Sequence, residues 1–226
     1  MLDKFRSDYI VHFYGACFLP SGYCMVTEFA QYGSYQDLID KRRDNPIEMK
    51  LKTKILLDSA KGLQYLHNNG ILHRDIKPDN TLVVSLHPKD LIHAKLTDFG
   101  SARNVNMLMT NMTFTKGVGT PVFMAPELLD QQHYKMPADI FAFAITMYEG
   151  ITWNECYPSD QFPHSWLIAK FVSEGKRVSQ PFDMRNDQFE LIEKCWCQNP
   201  RDRLQIEAIV ESLTNIYNDI YDENYL

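Results

Sequence analysis

The sequence predicts an α+β fold in which a short β-hairpin precedes a mostly helical body. Three observations predict it: strand-like residues fill the first thirty positions, apolar residues recur at helical spacing over 49–68, and residues 138–150 carry apolar residues on every helix face. The chain has 226 residues, of which 45% are hydrophobic and 23% charged, so it can bury a large core.

The hairpin is predicted from two segments, YIVHFYGACFL and YCMVTEF, which are rich in β-branched and aromatic residues. Pro20, Ser21 and Gly22 separate them, as in a tight turn. The first helix is predicted in GSYQDLIDKRR, because Ser34 followed three residues later by Asp37 is typical of a capping box.

The helical body is predicted from periodicity. Over residues 49–68 the apolar side chains share one helix face, and Gly70 follows as a stop. Residues 138–150 are apolar on every face, which indicates a helix in the centre of the body. Amphipathic helices are expected near 165–174, 187–197 and 204–217, and the acidic end from residue 218 is expected to fray.

The composition restricts the classes of function. A net charge of −6 disfavours a nucleic-acid or anionic-lipid partner. The longest apolar run, IFAFAITMY, is too short to span a bilayer, and the charged N-terminal residues do not form a signal peptide. The five cysteines lack zinc-ligand spacing. We therefore expect a cytoplasmic protein with reduced cysteines, no nucleic-acid partner and no membrane span.

Three short stretches follow one another in an order that suits phosphoryl transfer: HRDIKPDN (73–80), TDFGSA (97–102) and GTPVFMAPELL (119–129). This reaction needs metal-binding oxygens, an oriented hydroxyl and nearby cations. The set resembles the eukaryotic protein kinase signature H-R-D-L-x-x-x-N, D-F-G and A-P-E. The segments EFAQYGSYQDLI and LIEKCWCQNPRDR resemble sequences of the tyrosine-kinase-like group of serine/threonine kinases.

The resemblance implies catalytic roles for four residues. Asp75 would orient the substrate hydroxyl and accept its proton, and Asn80 and Asp98 would hold magnesium ions. Lys77 would lie near the γ-phosphate, and a lysine at this position is typical of serine/threonine kinases. The implied cofactors are ATP and Mg²⁺, and the implied substrate is a protein with a serine or threonine hydroxyl.

The resemblance also implies a nucleotide pocket along MVTEFAQYGS. Thr27 would gate the back of the pocket, the backbone of Glu28 and Ala30 would bind the adenine, and Leu82 would pack beneath the ring. Asp37 would contact the ribose, although as a capping-box partner it needs no ligand. Both interpretations of Asp37 remain open at this point.

Residues 98–127 resemble an activation segment, in which Phe99 and Gly100 complete the D-F-G motif. Arg74 would pair with a phosphate placed in this segment by an upstream kinase. The candidate acceptors, in order of preference, are Thr115, Thr113 and Thr110.

Other matched residues are expected to be structural. His73 would belong to a buried stack with Leu2, Phe13 and Phe99, anchored by Asp139. Asp139 would either cap its helix or pair with buried donors. The resemblance also implies an ion pair between Glu127 and Arg203.

The resemblance covers a partial kinase domain over 1–226, with a small-lobe remnant (1–27), a hinge (28–33) and a nearly complete helical large lobe (34–226). The sequence contains no G-x-G-x-x-G loop, no V-A-I-K lysine and no glutamate partner for that lysine. We therefore expect a fragment of a serine/threonine kinase that lacks the glycine-rich loop and the ATP-binding lysine. The alternative is a catalytically inactive, kinase-like interaction module.

Overall fold

The strands form three small antiparallel pairs and not one continuous sheet in the part of the chain that the structure describes. That part of the computed structural model comprises residues 6–19, 22–98, 102–104, 121–130 and 133–220. The pairs are β1 (Phe13–Leu19) with β2 (Gly22–Thr27), β3 (Ile71–Leu72) with β6 (Arg103–Asn104), and β4 (Thr81–Val83) with β5 (Ala94–Leu96).

Seven α-helices lie among the remaining described residues. They are α1 (Tyr35–Lys41), α2 (Met49–Asn68), α3 (Pro126–Leu129), α4 (Met136–Thr152), α5 (Ser165–Ser173), α6 (Asn186–Cys195) and α7 (Ile206–Asp219). No helix among the described residues is both long and apolar enough to cross a bilayer.

Helix α4 lies in the centre of the helical body, as its apolar sequence predicted. Its Phe141, Phe143 and Ile145 side chains are fully buried, because a helix without a polar face avoids water only when other elements surround it. Helix α2 packs against α4 and α7, and α6 packs on α4. The predicted α+β class, a helical body with a small hairpin, is confirmed.

The predicted hairpin is also confirmed, since β1 pairs with β2 from Phe13↔Thr27 to Leu19↔Gly22. Unlike helix α4, it exposes its apolar side chains: Phe18 is 78% exposed and Met25 64%. Two neighbouring bonds join its base to the body and to the segment after β2, from Val11 N–H to the Leu96 carbonyl and from Glu28 N–H to the His12 carbonyl.

The helix ends follow local chemistry. Ser34 and Asp37 form the predicted capping box of α1, and Gly70 has the left-handed φ of +67° that suits its position after α2. Helix α6 ends at Cys195, two residues earlier than predicted, because the chain turns towards the short 3₁₀ helix at Pro200–Asp202. Towards the C-terminus, helix α7 runs to Asp219, so the predicted fraying does not begin at residue 218.

Candidate active site

The loop between β3 and β4 brings three predicted catalytic residues together around one carboxylate. Asp75 Oδ2 forms an ion pair with Lys77 Nζ at 2.8 Å and accepts a hydrogen bond from Asn80 Nδ2 at 2.9 Å. Asn80 Nδ2 also donates to the Asp75 carbonyl at 2.7 Å. A 3₁₀ turn at Pro78–Asn80 returns the chain towards Asp75. The loop therefore holds a carboxylate, a cation and an amide within contact distance.

Asp139, in the first turn of α4, fixes the backbone just before Asp75. Its carboxylate accepts the N–H groups of His73 at 3.0 Å and of Arg74 at 2.9 Å. Arg74 has a φ of +73°, a conformation that costs energy for a residue with a side chain. The two bonds to Asp139 stabilise this conformation, so Asp139 pairs with buried donors.

Two further partners of Asp139 were missed by the sequence analysis. His67 Nε2 donates to it at 3.0 Å and the Tyr134 hydroxyl at 2.8 Å. Burial acts to raise the pKa of the Asp139 carboxyl, but the hydrogen bond and charge of His67, with His73 and the Arg74 N–H, bring it below its usual range. The carboxylate is therefore charged although it is fully buried. The position of His67 in the last turn of α2, beside apolar residues, was the available signal.

His73 connects the catalytic loop to the strand that precedes Asp98. Its Nε2 donates to the Thr97 carbonyl at 2.8 Å, and its Nδ1 accepts the Asp75 N–H at 3.3 Å. Burial lowers the pKa of His73 against the opposing charge of Asp139. A neutral imidazole held by these two bonds orients the loop, and its one N–H is used by the Thr97 carbonyl.

The two predicted metal ligands flank two paired strands, β4 and β5. Asn80 directly precedes β4, Asp98 follows β5 by two residues, and the Thr97 N–H donates to the Asn80 carbonyl at 3.0 Å. Asn80 Nδ2 is used by Asp75, which leaves Oδ1 as the atom able to bind a metal. Asp98 is exposed, with a φ of +59°.

This donor set fits magnesium. The described residues contain no group of three or more His, Cys, Asp or Glu side chains that could hold a metal alone. One carboxylate and one amide oxygen suit an ion such as Mg²⁺, which commonly takes few protein ligands and completes its shell with water and phosphate.

The predicted hinge is fixed from both ends. The Gly33 N–H donates to the Ala30 carbonyl, and Val83 of β4 exchanges backbone bonds with Tyr32 and Gly33. Within the described ranges, neither the Glu28 carbonyl nor the Ala30 N–H makes a hydrogen bond. These are the two backbone groups that an adenine edge would need.

Side chains near the hinge differ in exposure. Lys95 of β5 forms an ion pair of 2.8 Å with the Glu28 carboxylate, a contact that no sequence motif indicated. Leu82 is half-buried, and its backbone bridges to Ser34. Thr27 is exposed at the end of β2, so in this structure it does not line an enclosed pocket.

Asp37 caps helix α1 and still has one carboxylate oxygen that could contact a ribose. Its Oδ2 accepts the Ser34 backbone N–H at 2.9 Å and the Ser34 hydroxyl at 2.9 Å. These two bonds, with the charge of Lys41, lower the pKa of Asp37. Its Oδ1 has no hydrogen-bond partner among the described residues, so one oxygen remains for a ligand.

Glu127 and Arg203 form a bidentate ion pair in which both N–O distances are 2.7 Å. Arg203 also donates to the carbonyls of Cys197 at 2.9 Å and Pro137 at 2.8 Å. Arg203 is 3% exposed and Glu127 9%. The pair joins α3, at the end of the third motif, to the segment that precedes α7.

Several predicted residues lie outside the described ranges: Leu2, Phe99, Gly100, Thr110, Thr113 and Thr115. The buried stack and the phosphate acceptors therefore stay predictions. Arg74, the predicted phosphate partner, is described, and its guanidinium lies over the Tyr134 ring at 5.6 Å from the centroid.

Comparison with known proteins agrees with this geometry. The family described as "Protein kinase domain" matches residues 1–213. The chain belongs to the protein kinase family. The fold and family predicted from HRDIKPDN, TDFGSA and GTPVFMAPELL are thus confirmed.

Curated relatives of this kinase domain come from plants, amoebae and viruses. The serine/threonine-protein kinase STY17 of Arabidopsis thaliana is 32% identical over 99% of the chain, which spans 37% of that relative. The probable serine/threonine-protein kinase gdt2 of Dictyostelium discoideum is 32% identical over 99% of the chain and 14% of its own length. A putative serine/threonine-protein kinase/receptor of Acanthamoeba polyphaga mimivirus is 34% identical over 95% of the chain and 12% of its own length. The chain therefore spans between 12% and 37% of the length of these relatives.

Proposed function

We propose that this domain belongs to a serine/threonine kinase that transfers the γ-phosphoryl group of ATP to a protein hydroxyl. The observation that carries the proposal is the contact of Lys77 and Asn80 with one oxygen of Asp75. The other oxygen, Oδ1, has no hydrogen bond within the described part of the chain. It is the atom that would accept the proton of the substrate hydroxyl.

Lys77 would place a positive charge beside the transferred phosphoryl group. Its ammonium group is 2.8 Å from Asp75, so it neutralises the carboxylate in the resting site and lies where negative charge develops during transfer. The side chains of Lys77 and Asp75 are 20% and 14% exposed. A substrate hydroxyl can therefore reach them from the surface.

Asn80 Oδ1 and the Asp98 carboxylate would hold magnesium, and Mg²⁺ when bound neutralises phosphate oxygens. The Glu28 carbonyl and Ala30 N–H would accept and donate at the adenine edge, with Leu82 beneath the ring. Asp37 Oδ1 would receive a ribose hydroxyl while Oδ2 keeps its capping bonds to Ser34. Thr27 remains the predicted gate at the back of this pocket.

We also propose that the Arg74 guanidinium binds a phosphate when the segment 98–127 is phosphorylated. Its backbone is fixed by Asp139, next to the catalytic carboxylate, so a phosphate bound to its guanidinium would order the segment beside the substrate. An upstream kinase acting on Thr115, Thr113 or Thr110 would supply that phosphate. The names of the relatives support serine or threonine as the acceptor in the substrate protein.

The test is phosphate transfer from radiolabelled ATP to casein by the natural full-length protein. Asp75→Asn keeps the shape of the side chain but removes the proton acceptor, so we expect at least a hundredfold loss of rate. Asp79→Asn, an exposed neighbour in the same loop, serves as the control for folding. Equal transfer by the Asp75→Asn variant, or label found only on tyrosine, would refute the proposal.

A second candidate is a catalytically inactive interaction module, the alternative that the sequence left open. The 226 residues contain neither G-x-G-x-x-G nor V-A-I-K, whose backbone and lysine position the phosphates in this family. Thermal unfolding with and without magnesium-ATP separates the candidates. A nucleotide at a hundred times its Kd adds about 2.7 kcal/mol to stability, whereas the inactive module shows no shift.

A further inference from the structure

Two cysteines face each other across the β1–β2 hairpin. Cys17 of β1 is the direct partner of Cys24 of β2, and both side chains are exposed thiols. Directly opposed residues in an antiparallel pair have Cα atoms about 4.5–5.5 Å apart and place their side chains on the same face. Disulfides need a Cα separation of about 4.4–6.8 Å, so the register already provides the required spacing.

We propose that Cys17 and Cys24 form a redox modification site: a peroxide converts them into an intramolecular disulfide, and a dithiol reductant restores them. This site is separate from the phosphoryl-transfer residues and does not depend on the proposed kinase activity. An exposed disulfide between neighbouring strands is accessible to thiol exchange, which is the property of reversible disulfides in reducing compartments.

The chemistry balances with hydrogen peroxide as the oxidant. One cysteine thiolate attacks a peroxide oxygen, the O–O bond breaks, and a sulfenic acid and hydroxide form. The second thiolate attacks the sulfenic sulfur, so that the S–S bond forms and the S–O bond breaks. The released hydroxides take up the two thiol protons, so two thiols and one peroxide give one disulfide and two waters.

The other three cysteines cannot replace this pair. Cys156 and Cys195 are buried, and burial raises the pKa of the Cys156 thiol well above its usual value, so the reactive thiolate is suppressed. Burial likewise raises the pKa of the Cys195 thiol. Cys197 is partly exposed but its thiol lies against the Glu193 carbonyl of its own helical segment.

A disulfide at this position would act on the strand that leads into the hinge. Cys24 lies three residues before Thr27, where β2 ends, and Glu28 follows. A covalent link across the hairpin prevents its strands from separating. The backbone amides of β2 should then exchange with solvent at least tenfold more slowly in the oxidised protein.

The test exposes the folded full-length protein to hydrogen peroxide and follows it by mass spectrometry and thiol titration. The tryptic peptide that spans Ser7–Lys41 contains both cysteines, so we expect it to lose two hydrogen masses. Chymotrypsin, which cleaves after Phe18, should leave the two halves linked until dithiothreitol is added. Slower exchange of β2 amides should accompany the loss of two exposed thiols.

The matched control moves one thiol by a single residue, in the double variant Cys24→Ser, Met25→Cys. Met25 is exposed and faces Ala16, so the new thiol lies on the opposite face of the ribbon from Cys17. This variant should accumulate sulfenic or sulfinic acid without an internal link. If the unaltered protein also gave only these acids, or if the control linked equally well, the proposal would be overturned.

Discussion

The helical body and the β1–β2 hairpin distribute their side chains in opposite ways. In the body, the charged groups of Asp139, Glu127 and Arg203 are buried, and each makes at least two hydrogen bonds. In the hairpin, the apolar side chains of Phe18 and Met25 are 78% and 64% exposed. Residue type alone therefore does not identify the stable part of this molecule, whereas the completeness of contacts does.

This difference has an energetic meaning. A buried charge with complete partners resists change, because removal of one partner leaves the other desolvated. A two-stranded ribbon with exposed side chains is marginal on its own, and it opens at a lower free energy than a packed core. We therefore expect the body to determine global unfolding and the hairpin to open locally.

The largest effect is expected for Arg203→Ala. It removes both bonds to Glu127 and those to the Cys197 and Pro137 carbonyls, so unfolding free energy should fall by about 4 kcal/mol. Urea denaturation measures this loss. Arg201→Ala, at an exposed arginine in the same 3₁₀ turn, should change stability by less than about 0.5 kcal/mol. Equal effects of the two variants would show that the buried pair is not a stability element.

Glu149→Gln tests the one buried acid of α4 whose pKa is high. Burial raises the pKa of Glu149 from 4.5 to about 7, so the folded protein holds a proton that the unfolded chain releases. The protonated Glu149 side chain therefore contributes fully to stability below pH 4.5. This contribution is lost as the pH rises through about 7.

The glutamine variant, which keeps an acceptor for the Cys156 N–H, should therefore match the parent near pH 4.5. At pH 8 it should be more stable by up to about 3 kcal/mol. Denaturation at both pH values, with the exposed Glu190→Gln as the control, checks this. A pH-independent difference would contradict the assignment.

Tyr35→Phe should have a smaller effect. The Tyr35 hydroxyl donates to the Gly150 carbonyl at 2.9 Å in a fully buried position, and its loss leaves that carbonyl unsatisfied. The expected decrease in unfolding free energy is about 1–2 kcal/mol. Tyr14→Phe, at a tyrosine that is 66% exposed on the hairpin, provides the comparison and should leave the denaturation midpoint unchanged.

The smallest effect is expected for Phe18→Ala in the hairpin, which should alter global stability by less than about 0.5 kcal/mol. The same substitution at fully buried Phe143 should cost about 3–5 kcal/mol. Denaturation curves for the two variants compare the regions directly. A loss above 2 kcal/mol at Phe18 would mean that the hairpin unfolds together with the body.

The sequence predicted the features that depend on neighbours along the chain. The period of α2, the apolar composition of α4 and the Ser34–Asp37 cap are local patterns, and each was recognised. The catalytic motif was also local, since Asp75, Lys77 and Asn80 lie within six consecutive residues.

Three of the missed contacts join distant positions. His67 meets Asp139 across 72 residues, and the Tyr35 hydroxyl meets the Gly150 carbonyl across 115. Lys95 meets Glu28 across 67 residues. Such pairs depend on how helices and strands pack, and no spacing rule along one sequence contains that information.

The left-handed backbone of Arg74 depends on a carboxylate in α4, the helix in the centre of the body. Inherited or random variation in that helix should therefore produce a distinct class of defect. Such variants should lower turnover as well as stability, although none of the altered residues lies near a substrate. A catalogue of harmful substitutions drawn only around the catalytic loop would overlook them.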